Sequence, residues 1–233
     1  MAKEAIILAG GFGTRLKSLV NDIPKPMAPI KNQPFISYIF EQLHKYKFEK
    51  VILAAGYRSE VFLSYFGTSY KNIELIYSVE KEPLGTGGAI LKASELLSSD
   101  CFFVVNGDTF FEVDFEKMEE KFLKSKSGLM VALKPMVNFD RYGAVITSEE
   151  KIISFNEKKF CEEGLINGGI YMVIKDWLNE RAIGKIFSFE KDILENLVIK
   201  DDITYYISDG YFIDIGIPED YKRASEELPD LFK

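Results

Sequence analysis

The feature that most constrains the fold of this chain is the regular alternation of apolar runs with helical patterns in its first half. Apolar runs occupy 4–9, 50–55, 73–77 and 101–105 of the 233-residue sequence. The first, second and fourth are almost continuously apolar, as expected for strands that are covered on both faces of a parallel sheet. Helices are predicted between them, from a first turn at Pro34 to Leu43, at 59–66 and at about 86–97. This order predicts a doubly wound, mostly parallel α/β fold.

The second half of the chain has a different organisation. Strands are predicted at 128–133, 143–147, 151–155 and 167–173, with short connections between them. Helical patterns return at about 188–199 and 218–228, on either side of an extended stretch at 203–213. Because no linker, repeat or low-complexity segment interrupts the sequence, we expect a single domain over 1–233 with a smaller additional sheet.

The composition excludes several classes of function. Lysine and arginine number 29 against 36 aspartate and glutamate, a net charge of −7, which argues against broad nucleic-acid binding but leaves room for a small polyanion in a pocket. The single histidine, His44, lies on the polar face of a predicted helix, and Cys101 and Cys161 make no disulfide framework or zinc site. No apolar run is long enough for a membrane span or signal peptide, so we expect a cytoplasmic protein with no membrane partner.

A glycine-rich turn follows the first predicted strand. Gly10, Gly11 and Gly13 occupy three of four successive positions and allow the backbone to approach a ligand closely. Exposed N–H groups in such a turn favour anions, and Arg15 adds a planar positive charge that suits phosphate oxygens. The pattern is neither a P-loop nor a complete dinucleotide fingerprint, because Leu16 stands where the third glycine is needed. A tight strand-to-helix turn with no ligand is the alternative.

Lys25 lies in a restricted segment shortly after this turn. Prolines at positions 24 and 26 keep the backbone around Lys25 out of a helix. An ordinary surface lysine is one interpretation. Because Lys25 follows the glycine-rich turn so closely, we favour a second cation for phosphate.

Residues 8–16 (LAGGFGTRL) followed by 24–27 (PKPM) resemble the signature of the sugar-1-phosphate nucleotidyltransferases, and the similarity extends along nearly the whole chain. The greatest similarity is to the D-glycero-D-manno-heptose 1-phosphate guanylyltransferase group. This resemblance implies the Rossmann-like nucleotide-diphospho-sugar transferase fold, Mg²⁺ as cofactor, and a nucleoside triphosphate and a sugar 1-phosphate as substrates. It also implies that 1–127 mainly bind the nucleotide and 128–233 mainly bind the sugar phosphate. The oligomeric state is left open, with a homodimer as one possibility.

The stretch Glu80–Ala89 is predicted, by this resemblance, to line the nucleoside pocket. Gly87 and Gly88 in a first helical turn each cost about 1 kcal/mol relative to alanine, which is easier to understand if the backbone approaches another group closely. A carboxylate at Glu80 can accept from both N1–H and the 2-amino group of guanine, which favours GTP, although Glu82 competes for this role. The implied nucleotide-binding residues are Leu8, Ala9, Gly10, Gly11, Gly13, Thr14, Glu80, Gly85, Thr86 and Asp108.

Two aspartates are candidates for metal ligands. Asp108 ends the fourth predicted strand, and ligands of open α/β sheets gather at the carboxyl ends of the strands. Asp214 follows an extended run in the last quarter of the chain. Mg²⁺ prefers a few carboxylates together with phosphate oxygens and water, and the resemblance assigns Asp108 and Asp214 as that pair. Ordinary turn-capping acids are the alternative.

Sugar recognition is expected in the second half. By resemblance, the Gly143 backbone and the side chains of Glu157 and Asn167 hold sugar hydroxyls, and Lys158 meets the sugar phosphate. A carboxylate acceptor beside an amide suits vicinal diols. A solvated Glu157–Lys158 charge pair is the alternative.

The predicted reaction is a single in-line displacement at the α-phosphorus, with pyrophosphate as the leaving group. The attacking phosphate is already anionic, so positioning and positive charge supply most of the catalysis, and no general base is needed. Arg15 would stabilise pyrophosphate, and Lys25 the charge that grows at the α-phosphorus. Alternatives are a uridylyl- or mannose-type enzyme and a non-catalytic nucleotide-sugar sensor. An NAD-dependent oxidoreductase is disfavoured by the broken fingerprint.

Overall fold

The computed structural model of the protein describes residues 3–10, 23–56, 58–198 and 203–232. The strands are β1 (Glu4–Leu8), β2 (Pro29–Ile30), β3 (Gln33–Pro34), β4 (Lys50–Ala55), β5 (Ser69–Tyr70), β6 (Ile73–Val79), β7 (Cys101–Asn106), β8 (Thr109–Phe111), β9 (Leu129–Phe139), β10 (Gly143–Ser148), β11 (Lys151–Lys158), β12 (Cys161–Ile174), β13 (Ile203–Ile207) and β14 (Phe212–Asp214). The α-helices are α1 (Ile36–Lys45), α2 (Ser59–Phe66), α3 (Gly85–Ser94), α4 (Phe115–Ser125), α5 (Lys175–Arg181) and α6 (Pro218–Glu227). Residues Phe189–Glu195 form a short π-helical segment.

A large mixed sheet forms the centre of the molecule. Its strand order is β10-β11-β13-β9-β12-β7-β1-β4-β6-β5. The block β7-β1-β4-β6 is parallel, as the continuous apolar runs predict, whereas β12 runs antiparallel to both β7 and β9. Strands of the second half therefore extend the same sheet, and β8 with β14 makes a separate two-stranded ribbon.

Helices cover both faces of the sheet. Along β1, Ala5 and Ile7 point into one apolar cluster and Ile6 into the other, as the two-residue period of a strand requires. The first cluster contains the apolar stripes of α1, α2, α4 and α6, and the second contains those of α3, α5 and the π-helical segment. The predicted doubly wound α/β class is confirmed. Among the described residues, no helix is both long and apolar enough to cross a bilayer.

The predicted element boundaries differ from the structure in a few places. Pro34 does not lie in the first turn of α1, because it pairs with Pro29 in a short two-stranded turn and the helix begins at Ile36. The predicted helix at 86–97 begins at Gly85 and ends at Ser94. Helices α4 and α5 were not predicted, although Phe115, Met118 and Phe122 of α4 have helical spacing and lie on its buried face.

Candidate active site

Three glycines line the carboxyl ends of three neighbouring parallel strands. Gly10 follows β1, Gly56 follows β4 and Gly107 follows β7. A Cβ atom on Gly10 would lie 3.2 Å from the Gly56 nitrogen, and one on Gly107 would lie 2.6 Å from the Leu8 oxygen. These glycines therefore let neighbouring strand ends pack closely at the edge of the sheet where sites of open α/β folds form.

The predicted nucleotide-binding turn is only partly described. Leu8 is the last residue of β1, and the Ala9 N–H donates to the Ala54 carbonyl at 2.9 Å, so both lie at the glycine-lined edge together with Gly10. The other predicted residues of this turn, Gly11, Gly13, Thr14 and Arg15, lie outside the described residues. Their assigned roles stay predictions.

The ribbon of β8 and β14 brings the two candidate metal ligands together. Asp214 pairs with Thr109 across the ribbon, and the Ile215 N–H donates to the Asp108 carbonyl at 3.1 Å. The Asp214 Oδ1 atom accepts from the Gly216 N–H at 2.7 Å, which fixes the carboxylate. Two acids that are far apart in the sequence are thus neighbours through backbone pairing.

The surroundings of this pair of carboxylates raise the pKa of Asp214 and supply one directly paired lysine among the described residues. Burial raises the pKa of Asp214, and the nearby Asp108 carboxylate raises it further. The Gly216 N–H, Lys25 and Arg141 act in the opposite direction without reversing the shift. The Lys25 Nζ atom lies 3.2 Å from Asp108 Oδ2. Two acids with one directly paired lysine form a site that a divalent cation would balance.

The donor set also suits a small, hard cation. Carboxylate oxygens are preferred ligands of Mg²⁺, which completes its shell with substrate phosphates and water. Within the described ranges, no group of three or more histidine, cysteine, aspartate or glutamate side chains converges on one point.

Lys25 reaches Asp108 from a short helical turn. The turn Lys25–Met27 is 3₁₀-helical, and the Met27 N–H donates to the Pro24 carbonyl at 2.8 Å. Pro26 and Met27 are buried, while the Lys25 side chain keeps 18% of its surface exposed beside Asp108. The prolines thus fix the backbone and direct the lysine to the carboxylate pair.

Glu80 stands at the start of a segment, residues 80–88, that leads into α3 and that we name the nucleotide loop. The Glu80 Oε2 atom accepts from the Leu84 N–H at 3.0 Å, and Glu80 is half-buried. Glu82 is exposed in the same loop. The structure therefore holds the Glu80 carboxylate in a defined position through the backbone of its own loop.

Gly87 and Gly88 approach another part of the chain closely. We name residues 185–190 the strap. A Cβ atom on Gly87 would lie 2.2 Å from the Phe187 ring, and one on Gly88 would lie 2.2 Å from the Lys185 carbonyl oxygen. The Gly87 N–H donates to the Phe187 carbonyl at 3.0 Å. The close approach that these glycines predict is therefore to the strap.

Gly85 and Thr86, which were predicted to bind the nucleotide, also contact the strap. Gly85 has a φ of +71°, and a Cβ there would lie 2.4 Å from the Phe187 oxygen. The Thr86 hydroxyl donates to the Glu190 carboxylate at 2.5 Å. Sequence reasoning missed Glu190, because no local pattern connects it with a loop about a hundred residues earlier.

The predicted sugar-binding residues lie on adjoining strands of the second half. Gly143 pairs with Lys158 across β10 and β11, and Ala144 pairs with Ile166, which places Gly143 beside Asn167 of β12. Glu157 and Lys158 are exposed. The topology thus gathers these four residues although 24 positions separate Gly143 from Asn167 in sequence.

Asn167 is held by a bulge in β12. The pairing of β12 with β9 shifts between Asn167 and Tyr171, where Gly169 has a φ of +75°. The Asn167 Nδ2 atom donates to the Tyr171 hydroxyl at 2.9 Å, and Oδ1 accepts from the Gly169 N–H at 2.9 Å. Sequence reasoning gave no role to Asn106 at the end of β7, whose Oδ1 is buried and has no hydrogen-bond partner among the described residues.

Comparisons with known proteins identify the family to which the chain belongs. A family model described as nucleotidyl transferase matches residues 4–230. Two relatives named D-glycero-alpha-D-manno-heptose 1-phosphate guanylyltransferase are each 49% identical to the chain. The relative from Aneurinibacillus thermoaerophilus matches over 97% of this chain and 98% of its own length, and the one from Campylobacter jejuni over 94% and 96%.

Among solved structures, the crystal structure of HddC from Yersinia pseudotuberculosis has a TM-score of 0.88 at 36% identity, over 97% of this chain and 99% of that chain. HddC complexed with GMP-PN has a TM-score of 0.87. These likenesses confirm the fold expected from the resemblance. Because the family match runs from β1 to the end of the last helical turn, the chain belongs to the nucleotidyl transferase family, whose members are enzymes.

Proposed function

We propose that the chain transfers a guanylyl group from GTP to D-glycero-α-D-manno-heptose 1-phosphate and releases pyrophosphate. The observation that carries the reaction type is the Lys25–Asp108 ion pair beside Asp214, at the glycine-lined ends of the parallel strands. The choice of base and sugar is supported by the two relatives that are 49% identical over nearly their whole length.

The chemical step needs two negatively charged substrates side by side. An oxygen of the sugar 1-phosphate attacks the α-phosphorus, a new P–O bond forms, and the bond from the α-phosphorus to the pyrophosphate oxygen breaks. Lys25 contributes positive charge beside Asp108, where charge grows in the transition state. Arg15, which lies outside the described residues, is assigned to the leaving pyrophosphate. No proton has to leave the attacking phosphate.

Asp108 and Asp214 would hold Mg²⁺ in this proposal. The bound ion would neutralise phosphate charge and align the triphosphate with the attacking oxygen. The support lies in the two neighbouring carboxylates, whose combined charge Lys25 balances only in part. The ribbon of β8 and β14 keeps both side chains at one edge of the site, and the Gly216 N–H orients Asp214.

Glu80 is assigned to the guanine base in preference to Glu82. The reason is its fixed, half-buried carboxylate, whereas Glu82 is exposed to solvent. A carboxylate accepts hydrogen bonds from two adjacent donors, and guanine presents N1–H and the 2-amino group side by side. Uracil presents a single donor between two acceptors, so UTP would leave the carboxylate poorly paired.

The sugar phosphate is assigned to the edge formed by β10, β11 and β12. There the Gly143 backbone, Glu157 and Asn167 would bind hydroxyl groups, and Lys158 would bind the phosphate. Asn167 is the best positioned of these, because Tyr171 and Gly169 fix both ends of its amide. Its remaining hydrogen-bonding capacity is therefore presented by a rigid side chain.

A substrate panel tests this proposal. GTP, ITP, UTP, CTP, ATP and dTTP are each supplied with heptose 1-phosphate and with mannose 1-phosphate, in the presence of Mg²⁺, and pyrophosphate release is measured. We expect the highest kcat/KM for GTP with the heptose. We also expect Glu80→Gln to lower the preference for GTP over ITP by about tenfold, the size of one lost charged hydrogen bond. Turnover with UTP or mannose 1-phosphate at a higher kcat/KM would contradict the assignment.

A further inference from the structure

We propose that Glu190 is a positioning residue for the nucleotide loop. It acts through Thr86, and together with the strap backbone it fixes the position of Glu80. This inference rests on the proposed function, because it concerns how the guanine nucleotide is bound. It predicts that a residue about a hundred positions away from the loop sets the affinity for GTP without contacting the reacting atoms.

The first step of the argument is a hydrogen-bond cluster between side chains. The Glu190 Oε2 atom accepts from the Thr86 hydroxyl at 2.5 Å and from the Ser188 hydroxyl at 3.1 Å. The Thr86 oxygen accepts from the Phe189 N–H at 2.8 Å. A hydroxyl has one donor, so the proton of Thr86 is committed to Glu190, and Thr86 can offer a nucleotide only an acceptor.

The second step is the backbone connection between the strap and the nucleotide loop. The Phe187 carbonyl accepts from the N–H groups of Gly87 and Gly88, at 3.0 and 3.4 Å. The Phe187 N–H donates to the Leu84 carbonyl at 3.0 Å, and the Leu84 N–H donates to Glu80. Leu84 is thus held by the strap on one side and holds Glu80 on the other.

The third step is that the nucleotide loop has little local reason to keep its shape. Gly85 has a left-handed φ, and Gly87 and Gly88 weaken the first turn of α3 by about 1 kcal/mol each relative to alanine. The strap, in contrast, is anchored in the core. Phe187 and Phe189 are buried, and the Phe189 ring packs edge-to-face on Tyr171 at a centroid distance of 5.1 Å.

These contacts predict what happens when the Glu190 carboxylate is removed. Without the Glu190 carboxylate, the Thr86 hydroxyl loses its acceptor, and among the hydrogen bonds of the described residues only the one from the Phe189 N–H still holds the Thr86 side chain to the strap. The Glu80 carboxylate then samples more positions, so binding of GTP should weaken. Lys25, Asp108 and Asp214 lie on other elements, so the chemical step should continue once GTP is bound.

Steady-state kinetics of the full-length protein test this role. The variants are Glu190→Ala, Thr86→Val, their double variant, the conservative Thr86→Ser, and the control Glu195→Ala, an exposed acid on the same helical segment. We expect Glu190→Ala to raise KM for GTP by about tenfold, with kcat and KM for heptose 1-phosphate unchanged, and Thr86→Val to raise KM for GTP by a similar factor. We expect the double variant to be no worse than either single one, and Thr86→Ser to recover most of the affinity.

The outcomes separate this inference from the proposed function. If the unmodified protein releases no pyrophosphate from GTP and heptose 1-phosphate, the proposed function fails first. If that protein is active and Glu190→Ala behaves like Glu195→Ala, the positioning role is wrong. It is also wrong if both KM values, kcat and the melting temperature change together, since that is a general loss of structure. Should Glu190→Ala not fold, Glu190→Gln replaces it and is judged by the same criteria, with a smaller expected rise in KM for GTP because the amide oxygen still accepts from Thr86.

Discussion

At the two ends of the parallel sheet, the pKa values of carboxyl groups are shifted in opposite directions. At the amino end of β1, Glu4 is 7% exposed, lies 2.9 Å from the Lys50 Nζ atom, and accepts from the N–H groups of Ser98 and Ser99. Burial alone would raise the pKa of Glu4, but the hydrogen bonds from Lys50 and Ser99 together with the Lys50 charge lower it. At the carboxyl end, burial and Asp108 raise the pKa of Asp214.

The difference separates two uses of a carboxylate: one whose charge stabilises the fold, and one whose charge is available to a ligand. The partners that lower the pKa of Glu4, Lys50 and Ser99, stabilise its charged form in the folded chain. The charge of Glu4 therefore contributes to stability. Asp108 and Asp214 repel each other, and the partners of Asp214 do not compensate fully. In the proposed function, a bound cation would offset this repulsion. We therefore expect substitutions at the two ends to affect different properties.

The largest expected effect is at the carboxylate pair. Asp108→Asn, Asp214→Asn, or removal of divalent cations with EDTA should each reduce kcat/KM by a factor on the order of 10³, because several kcal/mol of charge stabilisation is lost. Pyrophosphate release with and without added Mg²⁺ measures this. Asp209→Asn, an exposed acid close to β14, is the matched control and should keep its activity. Full turnover of Asp214→Asn in EDTA would show that neither Asp214 nor a divalent cation is needed for activity.

Lys25 should give the next largest effect. Lys25→Ala removes the cation beside Asp108, and we expect kcat to fall by a factor on the order of 10²–10³, the cost of losing one charge-stabilising group. Lys222→Ala, at an exposed lysine on α6, provides the control. Near-normal turnover of Lys25→Ala at saturating substrates would show that Lys25 only neutralises Asp108 in the resting protein.

At the other end of the sheet, Glu4→Gln should reduce stability without reducing turnover. The amide cannot replace the charged interaction with Lys50, and we expect the free energy of unfolding to fall by about 1–3 kcal/mol. Urea denaturation measures the loss, with Glu60→Gln, an exposed acid on α2, as control. A large fall in kcat with unchanged stability would mean that the two ends are not separated in function.

The smallest expected effect is the pH dependence of the stability that Glu4 contributes. The pKa of Glu4 is lower in the folded protein than its ordinary value of 4.5, so the carboxylate stabilises the fold at pH values above that value. The contribution is lost as the pH falls through the folded pKa. We therefore expect the gap in unfolding free energy between the unmodified protein and Glu4→Gln to be constant from about pH 8 to 5 and to shrink below. If the difference in unfolding free energy widened on acidification, the charged form of Glu4 would not be the stabilising one.

The accuracy of the sequence predictions depended on how local the controlling interactions are. Strand β4 and helix α2 were predicted at their observed bounds, because apolar content and turn residues determine them within a few positions. The placement of Asp108 beside Asp214 was only an expectation, since it depends on the pairing of β8 with β14. Gly87 and Gly88 signalled a close approach correctly, but the sequence offered no means of finding Phe187 as the partner.

The ribbon of β8 and β14 also has a consequence for how the protein matures. During synthesis, Asp108 emerges with the parallel strands β1, β4 and β6 already present, but Asp214 joins it only when a late segment returns to the same edge. If Asp108 and Asp214 hold the ion, as proposed, its two ligands meet only after most strands of the sheet have been synthesised. Turnover would then report that β14 has paired with β8.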